Sequence, residues 1–171
     1  TAALKAVEYL IKVGYRRIAT ITGPLNMIAG HDRLEGYLEA LRRYDLMKDE
    51  KLVKESDFTE QGGYNAMSQL LDEKPEAVFI ASDMMAVGAM RAVTNAGLRI
   101  PEDIGILGFD DMPFAAKLEP PLSTVRQPVY QCGETAAKML VERIEDPQTQ
   151  HQQLILPTEL VIRESTGSPG I

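Results

Sequence analysis

Apolar residues recur along the chain in two alternating patterns. Those at positions 3 to 11 have the spacing of one helix face, and Gly14 follows where a helix would end on a left-handed residue. Residues 18–22 form a short β-branched run that stops at Gly23-Pro24, which predicts a buried strand running into a loop. The chain therefore begins with a helix and then a strand.

The same alternation continues through the middle of the chain. The further predicted strands are residues 52–56, 77–81 and 104–109. One further helix is predicted to start at Arg33, and two others to span residues 63–71 and 84–96. In these strands apolar residues follow one another and do not alternate with polar ones, as in a sheet that is covered on both faces. The pattern predicts an α/β fold with a doubly wound parallel sheet.

Beyond Phe109 the rhythm changes. Residues 110–128 are interrupted by prolines and leave room only for a short helical turn within residues 114–118. A helix is predicted over residues 129–144, then a polar loop at 147–153 and a last strand within residues 154–162. The tail from Ser165 is expected to be frayed.

Composition narrows the possible classes. The 171 residues, 44% of them hydrophobic, suit one globular body. A net charge of −7 argues against unaided binding to nucleic acid, and the single cysteine, Cys132, gives no sign of an oxidising compartment. No apolar run approaches the roughly 20 residues of a membrane span, and the amphipathic start resembles neither a signal peptide nor an anchor. We expect a cytoplasmic protein with no membrane partner.

Polar residues follow the predicted strands. They are the loop 23–33, Asp57-Phe58, Ser82-Asp83 and Asp110-Asp111. Ligands of open parallel sheets bind outside the carboxyl ends of the strands, so these groups should converge. An arginine, an aromatic ring and carboxylates together suit a small molecule that is rich in hydroxyl groups.

Each of these residues also has an ordinary structural interpretation. Arg33 could be a solvated surface residue, Phe58 a core residue, and Gln127 a plain linker residue before Pro128. Ser82-Asp83 precede a helix, and helix capping is the favoured interpretation of Asp83. Of the adjacent Asp110 and Asp111, we expect one to cap and one to face the cleft.

Nothing in the sequence points to catalysis. The two histidines, His31 and His151, form no credible metal set, and neither phosphate-loop pattern is present. The paired carboxylates lack a nucleophile or metal partner. We expect no catalytic residue, no metal and no cofactor.

The segment 84–93 is apolar nearly all round. A helix that covers a sheet needs one apolar stripe, so the second stripe indicates either a helix deep in the same domain or a partner subunit. We favour a homodimer, in which residues 113–118 lie beside this helix. The expected interface residues are Met84, Val87, Met90 and Phe114.

Several segments together resemble the effector-binding core of the lactose and galactose repressor family, which includes the purine repressors. They are GYRRIATITGP, DRLEGYLEAL, SDFTEQGGYNAM, AVFIASDMMAVGAMRAVTNAGLRIPEDIGILGFDD, PPLSTVRQP and LPTELVIREST. The resemblance covers essentially the whole chain. It implies a core like that of type I periplasmic binding proteins, of which this chain holds only the second lobe.

The resemblance also divides the chain. Residues 1–127 would form the second lobe, 128–150 a helix that packs on the first lobe in the intact family, 151–164 the return strand, and 165–171 a flexible tail. The DNA-binding headpiece and most of the first lobe would lie outside this sequence.

Roles follow from the matching positions. Arg33 would clamp the effector, Phe58 would be its aromatic platform, Asp110 and Ser82 would bind its hydroxyls, and Gln127 would sit at the crossover between the lobes. The implied function is sensing of a sugar-like effector in a transcriptional repressor that binds DNA through its headpiece. The alternative is the sugar-binding protein of a transporter, which shares the fold.

Overall fold

The structure is a computed structural model that describes residues 1–146, 148 and 152–167. The helices of this part are α1 Ala2–Val13, α2 Ile28–Arg43, α3 Glu60–Leu70, α4 Asp83–Asn95 and α5 Val129–Glu145. The strands are β1 Ile18–Thr22, β2 Val53–Glu55, β3 Ala77–Ile80, β4 Gly105–Leu107, β5 Thr124–Arg126 and β6 Glu159–Val161. The order of the elements agrees with the sequence pattern.

The strands β1 to β4 form a parallel sheet in the order β2-β1-β3-β4. Thr20 pairs with Val53 on one side and with Phe79 on the other. Parallel bridges from Leu107 to Ser123 and from Asp110 to Arg126 then carry the chain along β4 into β5, which pairs antiparallel with β6. The predicted α/β fold with a doubly wound parallel sheet is confirmed.

Each face of the sheet is covered by its own hydrophobic layer. On one face α1 and α2 pack around Tyr37 and Phe79, and on the other α3 and α4 pack around Met67 and Ile80. The Tyr37 hydroxyl is fully buried and donates a hydrogen bond of 2.9 Å to the carbonyl of Ile18, which fixes α2 on β1. Because both faces of the sheet are covered, a ligand can reach the sheet at the ends of its strands.

The second apolar face of α4 is covered by α3. Glycines allow this close approach, because a Cβ at Gly88 would lie 1.8 Å from the carbonyl oxygen of Glu60, and one at Gly63 would lie 2.1 Å from that of Met85. Met90 is 6% exposed and belongs to the core of its own chain. The prediction of an interface role is therefore wrong for Met90, whereas it stays a prediction for Met84, Val87 and Phe114.

Helix α2 begins earlier than predicted. It starts at Ile28 after the extended residue Met27, so Arg33 lies in its second turn and not at its amino end. The sequence shows no capping side chain here, and Met27 makes no side-chain capping bond, which explains why the start was missed. The position of Arg33 carries its side chain back over the strand ends.

The end of the described chain is anchored. Ser165 and Thr166 are fully buried in a 3-10 turn, where Ser165 Oγ donates to the carbonyl of Ile106 over 2.7 Å and accepts from the amide of Ser123 over 2.8 Å. The prediction of a flexible tail is wrong for residues 165–167, because buried polar groups are fixed by their hydrogen bonds. Residues 168–171 lie outside the described residues, as does most of the predicted loop 147–153.

Helix α5 lies on the surface, and none of its residues is buried. Tyr130 is 84% exposed and Ile144 70% exposed, although the helix has a clear apolar side. No helix in the described part of the chain has the length and apolar character needed to cross a bilayer.

Candidate functional site

The carboxyl ends of the strands bring together the residues predicted from the sequence. Arg33 of α2 extends over the end of β3, where one of its terminal nitrogens donates a hydrogen bond to the carbonyl of Ala81. Its guanidinium carbon lies 4.0 Å from the centre of the Phe109 ring and 5.9 Å from that of Phe58. A cation is thus held between two aromatic rings, one after β2 and one after β4.

Asp110 completes the polar side of this cluster. Its Oδ1 lies 3.5 Å from Nη2 of Arg33 and accepts a hydrogen bond of 2.6 Å from Nε2 of Gln127. The side chains of Arg33 and Asp110 keep 15% and 25% of their surface exposed, so both reach the open cleft. The structure therefore brings Arg33, Phe58, Asp110 and Gln127 together.

Burial dominates the ionisation of the pair. It raises the pKa of Asp110, although the charge of Arg33 and the hydrogen bond from Gln127 act in the opposite direction. It lowers the pKa of Arg33, against the charges of Asp110 and Asp83. An arginine nonetheless stays protonated at physiological pH, so the cleft holds a partly desolvated ion pair whose strength depends on the exclusion of water.

The loops at the site adopt uncommon backbone conformations. Phe58, Asp110 and Asp111 have φ angles of 63°, 122° and 54°. Positive φ costs on the order of 1 to 3 kcal/mol for a residue with a side chain, and it persists where the surrounding contacts require it. Here it lets two successive aspartates point to different neighbours.

Asp111 contacts the connecting strands and not the cleft. Its carboxylate accepts 2.6 Å hydrogen bonds from Arg126 of β5 and from Arg163 after β6. Burial alone would raise the pKa of Asp111, but the hydrogen bonds and charges of the two arginines together lower it. The prediction that one of the two aspartates caps a helix is wrong, since Asp110 faces the cleft and Asp111 joins β5 to the segment after β6.

Ser82 caps helix α4, whereas Asp83 binds a different part of the chain. Ser82 is the N-cap of α4, and its Oγ accepts the amide hydrogen of Met85 over 3.2 Å. Asp83 is fully buried, and it accepts a 2.8 Å hydrogen bond from the amide of Met112 and one of 2.6 Å from Oγ1 of Thr124. The capping interpretation of Asp83 is therefore wrong, because its carboxylate binds the connector after β4 and not its own helix.

Sequence reasoning missed two groups at the site, Phe109 and the carbonyl of Ala81. Phe109 is 5% exposed, and the sequence pattern identifies it only as the end of a predicted strand. Its signal was its position, since the residue next to Asp110 also has to lie beside the cleft. A backbone carbonyl leaves no trace in the sequence.

A second depression, which is open to solvent, occurs elsewhere. A cavity of about 440 Å³ lies between β2 and α3 and is lined by polar side chains that include Lys54, Asp57 and Asn65. It has no aromatic wall, whereas the strand ends join a cation, a carboxylate and two rings. We therefore place the candidate site at the strand ends, which form one open wall of a cleft. Among the described residues, no three His, Cys, Asp or Glu side chains cluster as metal ligands.

Comparison with known proteins identifies the family. The model of the periplasmic binding protein-like domain matches residues 7–166. The chain belongs to this family, in the form found in regulators of the lactose and galactose repressor type. It is 45% identical to the HTH-type transcriptional regulator CelR of Thermobifida fusca over 94% of its length, and 43% identical to the ribose operon repressor of Escherichia coli K12, also over 94%.

Solved structures agree. A transcriptional regulator CelR–cellobiose complex matches with a TM-score of 0.93 at 44% identity over 96% of this chain, and a lac repressor dimer bound to operator matches with a TM-score of 0.88 at 33% identity over 98%. The chain spans about half the length of these relatives: 48% of CelR, 49% of the ribose repressor, and 51% and 50% of the two structures. The predicted family and the single lobe are confirmed, and the curated relatives are named as transcriptional regulators or repressors.

Proposed function

We propose that this domain of the lactose and galactose repressor family is the effector-sensing lobe of a transcriptional regulator and binds a sugar-like molecule at the strand-end site. The observation that carries the proposal is the Arg33–Asp110 pair, with Nη2 and Oδ1 3.5 Å apart between aromatic rings at the carboxyl ends of the sheet. An open α/β sheet binds its ligands at this edge.

The chemistry of the pair suits a polyhydroxylated ligand. The guanidinium donates hydrogen bonds in a fixed plane, and the carboxylate accepts them, so neighbouring hydroxyls of one ring can satisfy both groups. In the described part of the chain, the hydrogen bond to the Asp110 carboxylate reaches Oδ1, which leaves Oδ2 for a ligand hydroxyl. The ring of Phe58 can cover the apolar face of a sugar. Ser82 follows β3 at the same edge. Its Oγ accepts the amide hydrogen of Met85, so its role toward the ligand would be that of a hydroxyl donor.

The rest of the sensor would lie outside this chain. Residues 1–127 and 151–164 would form one lobe, and helix α5, within residues 128–150, would pack on the other lobe. The exposure of the apolar side of α5 supports this assignment. Ligand binding between the lobes would change their orientation and thereby the spacing of DNA-binding headpieces in a cytoplasmic dimer.

The dimer contact would include the exposed end of α4 and the segment after β4. Met84 and Met112 are each 42% exposed, and Val87 and Phe114 are half-buried. DNA contacts would come only from the headpiece, because the net charge of this chain is −7.

A sugar-binding protein of a transporter is the second candidate on the basis of the fold. The relatives favour the regulator, since CelR is named as a transcriptional regulator and the other relative as the ribose operon repressor. A family member with a cellobiose complex also supports a sugar as the class of ligand.

Calorimetry with the full-length regulator tests the proposal. Cellobiose, ribose and further mono- and disaccharides would be titrated into the wild type, Arg33→Ala and Asp110→Asn. Losing a charged partner from a buried network costs about 1.5–3 kcal/mol, so affinity should fall roughly ten- to hundredfold while operator binding persists. Arg91→Ala is a matched control, because Arg91 also lies over a ring, at 5.1 Å from Tyr64, but on an exposed surface.

Two results would contradict the proposal. One is a wild-type protein that binds none of the sugars, and the other is an undiminished affinity in Arg33→Ala. The isolated chain offers a further check. It should bind sugar far less tightly than the full-length protein, because one open wall cannot exclude water from the ion pair.

A further inference from the structure

The Phe109 ring lies directly against the guanidinium of Arg33. The distance from the guanidinium carbon to the ring centre is 4.0 Å, well inside the roughly 6 Å at which a cation is attracted to an aromatic face. Phe58 lies 5.9 Å away, at the edge of that range. Phe109 is thus the nearer of the two rings and the principal support of the cation.

The backbone on either side fixes the Phe109 ring. The Phe109 carbonyl accepts a 2.7 Å hydrogen bond from the amide of Asp83, and the next amide, that of Asp110, donates to the carbonyl of Val125 over 2.8 Å. Behind the ring, Phe79 of β3 makes an edge contact with centroids 6.4 Å apart. The ring is therefore held by the start of α4, by β5 and by the core.

The contacts of Arg33 leave its orientation dependent on this ring. One terminal nitrogen is bound to the Ala81 carbonyl and the other lies 3.5 Å from Asp110, which is long for a hydrogen bond. These two contacts restrain the ends of the guanidinium but not its tilt. A flat surface at 4.0 Å restrains the tilt, and the tilt decides where the remaining N–H groups point.

We propose that Phe109 is a positioning residue for ligand recognition, which holds the plane of the Arg33 guanidinium without itself contacting the ligand. The proposal rests on the proposed function and deepens it. Any apolar side chain of similar volume would fill the space behind Asp110. The aromatic face of Phe109 in addition aligns the guanidinium of Arg33. A residue of similar volume without a ring should therefore keep the fold and lose affinity.

The variants separate the ring from its volume. Phe109→Leu and Phe109→Met remove the ring and keep an apolar side chain, so one of them can report if the other folds poorly. Phe109→Tyr keeps the ring. Tyr64→Leu is the matched control, because it removes a ring that lies 5.1 Å from a different cation, Arg91, while the rings that lie within range of Arg33 in the described structure are Phe58 and Phe109.

Two readouts on the full-length regulator test the proposal. The first is the affinity for cellobiose, or for ribose if cellobiose does not bind. A cation–π contact of the usual strength predicts a loss of about two- to thirtyfold in Phe109→Leu and Phe109→Met, and less than about twofold in Phe109→Tyr and in the control Tyr64→Leu. The second is the NMR shift of the Arg33 side-chain N–H protons without ligand, which the ring current of Phe109 should displace upfield.

The two readouts distinguish the possible failures. The proposal is supported if the ring-current shift disappears and affinity falls in Phe109→Leu or Phe109→Met, while both persist in Phe109→Tyr. If the shift is unchanged in Phe109→Leu and Phe109→Met, the Phe109 ring does not lie over the guanidinium of Arg33. If the shift is lost but the affinity is unchanged, the ring lies there but does not position Arg33 for the ligand. Either result overturns the proposal but leaves the proposed function to the Arg33→Ala test, whereas a wild type that binds no sugar refutes the proposed function itself.

Discussion

The side-chain amide of Gln127 donates a 2.6 Å hydrogen bond to Oδ1 of Asp110. This bond joins the candidate site to the residue that immediately precedes Pro128 and helix α5. A ligand hydroxyl that binds Asp110 has to share this carboxylate with Gln127. The contact therefore links the occupancy of the site to the segment through which the chain leaves the lobe.

The first prediction concerns the pH dependence of sugar binding. Burial raises the pKa of Asp110, and the hydrogen bond from Gln127 counteracts this effect. Because a protonated Asp110 is a poorer acceptor, affinity should fall as the pH drops through its pKa, at a pH above the ordinary value of about 3.9. In Gln127→Leu the fall should begin at a higher pH. Calorimetry between pH 7 and pH 4 would measure the affinity, with Asp110→Asn as the variant that lacks this pH dependence. If the wild type and Gln127→Leu lose affinity at the same pH, the prediction is contradicted.

The second prediction concerns the buried carboxylate of Asp83. Asp83→Ala leaves the amide of Met112 and the hydroxyl of Thr124 without their acceptor, at a cost of about 1–3 kcal/mol of unfolding free energy for each unpaired group. Urea denaturation would measure the loss, and Asp72→Ala on the exposed surface should change little. Equal stability of the two variants would show that Asp83 does not hold the connector.

Asp83 also predicts the direction of a pH effect. Burial raises its pKa, so between the ordinary carboxylate value and the raised value the folded state binds more protons than the unfolded state. Stability contributed by this group is therefore lost as the pH rises through that interval. Asp83→Ala should lack this component, and unfolding measured at a series of pH values would reveal it.

The third prediction concerns the anchored end of the chain. Ser165→Ala removes a buried hydroxyl that donates to Ile106 and accepts from Ser123, and it should lower the unfolding free energy by about 1–3 kcal/mol. Ser68→Ala is the control, because Ser68 is exposed and bonds only within its own helix, to the carbonyl of Tyr64. A change in Ser165→Ala no larger than in the control would indicate a loosely held tail.

The fourth prediction concerns self-association. Met84 lies at the exposed start of α4, so Met84→Glu should leave the fold intact and place an unpaired charge in a dimer contact. Sedimentation should then show monomers of the full-length protein. Met47→Glu is the control, since Met47 is 91% exposed and lies away from α4. An unchanged oligomer in Met84→Glu would place the contact on another surface.

The fifth prediction concerns the uncovered side of α5. Cys132, the only cysteine of this chain, is exposed on that helix. If α5 packs on another lobe, its thiol should react with a thiol reagent much more slowly in the full-length protein than in the isolated chain. Cys132→Ser would report the reaction of any other cysteine in the longer protein. Equal rates would contradict the assignment of α5 to an interlobe contact.

Much of the architecture follows from the local sequence. Apolar strands that alternate with amphipathic helices can bury their surfaces only in a covered parallel sheet, and this constraint places the ends of the strands on one edge. That reasoning was enough to predict that Arg33, Phe58 and Asp110 meet. Helix boundaries were harder to predict, because α2 begins without a capping side chain at Met27.

Only the tertiary structure decided which partner each polar or apolar group takes. Asp83 looks like a helix cap in the sequence, but its acceptors serve Met112 and Thr124, which are distant along the chain. Met90 looks like an interface residue in the sequence, but it is 6% exposed and belongs to the core of its own chain. Ser165 looks like part of a polar tail, yet hydrogen bonds to Ile106 and Ser123 hold it inside. In each case the local sequence determines which hydrogen bonds or apolar contacts a side chain is able to make. Burial and contacts with residues distant along the chain determine which of them it makes.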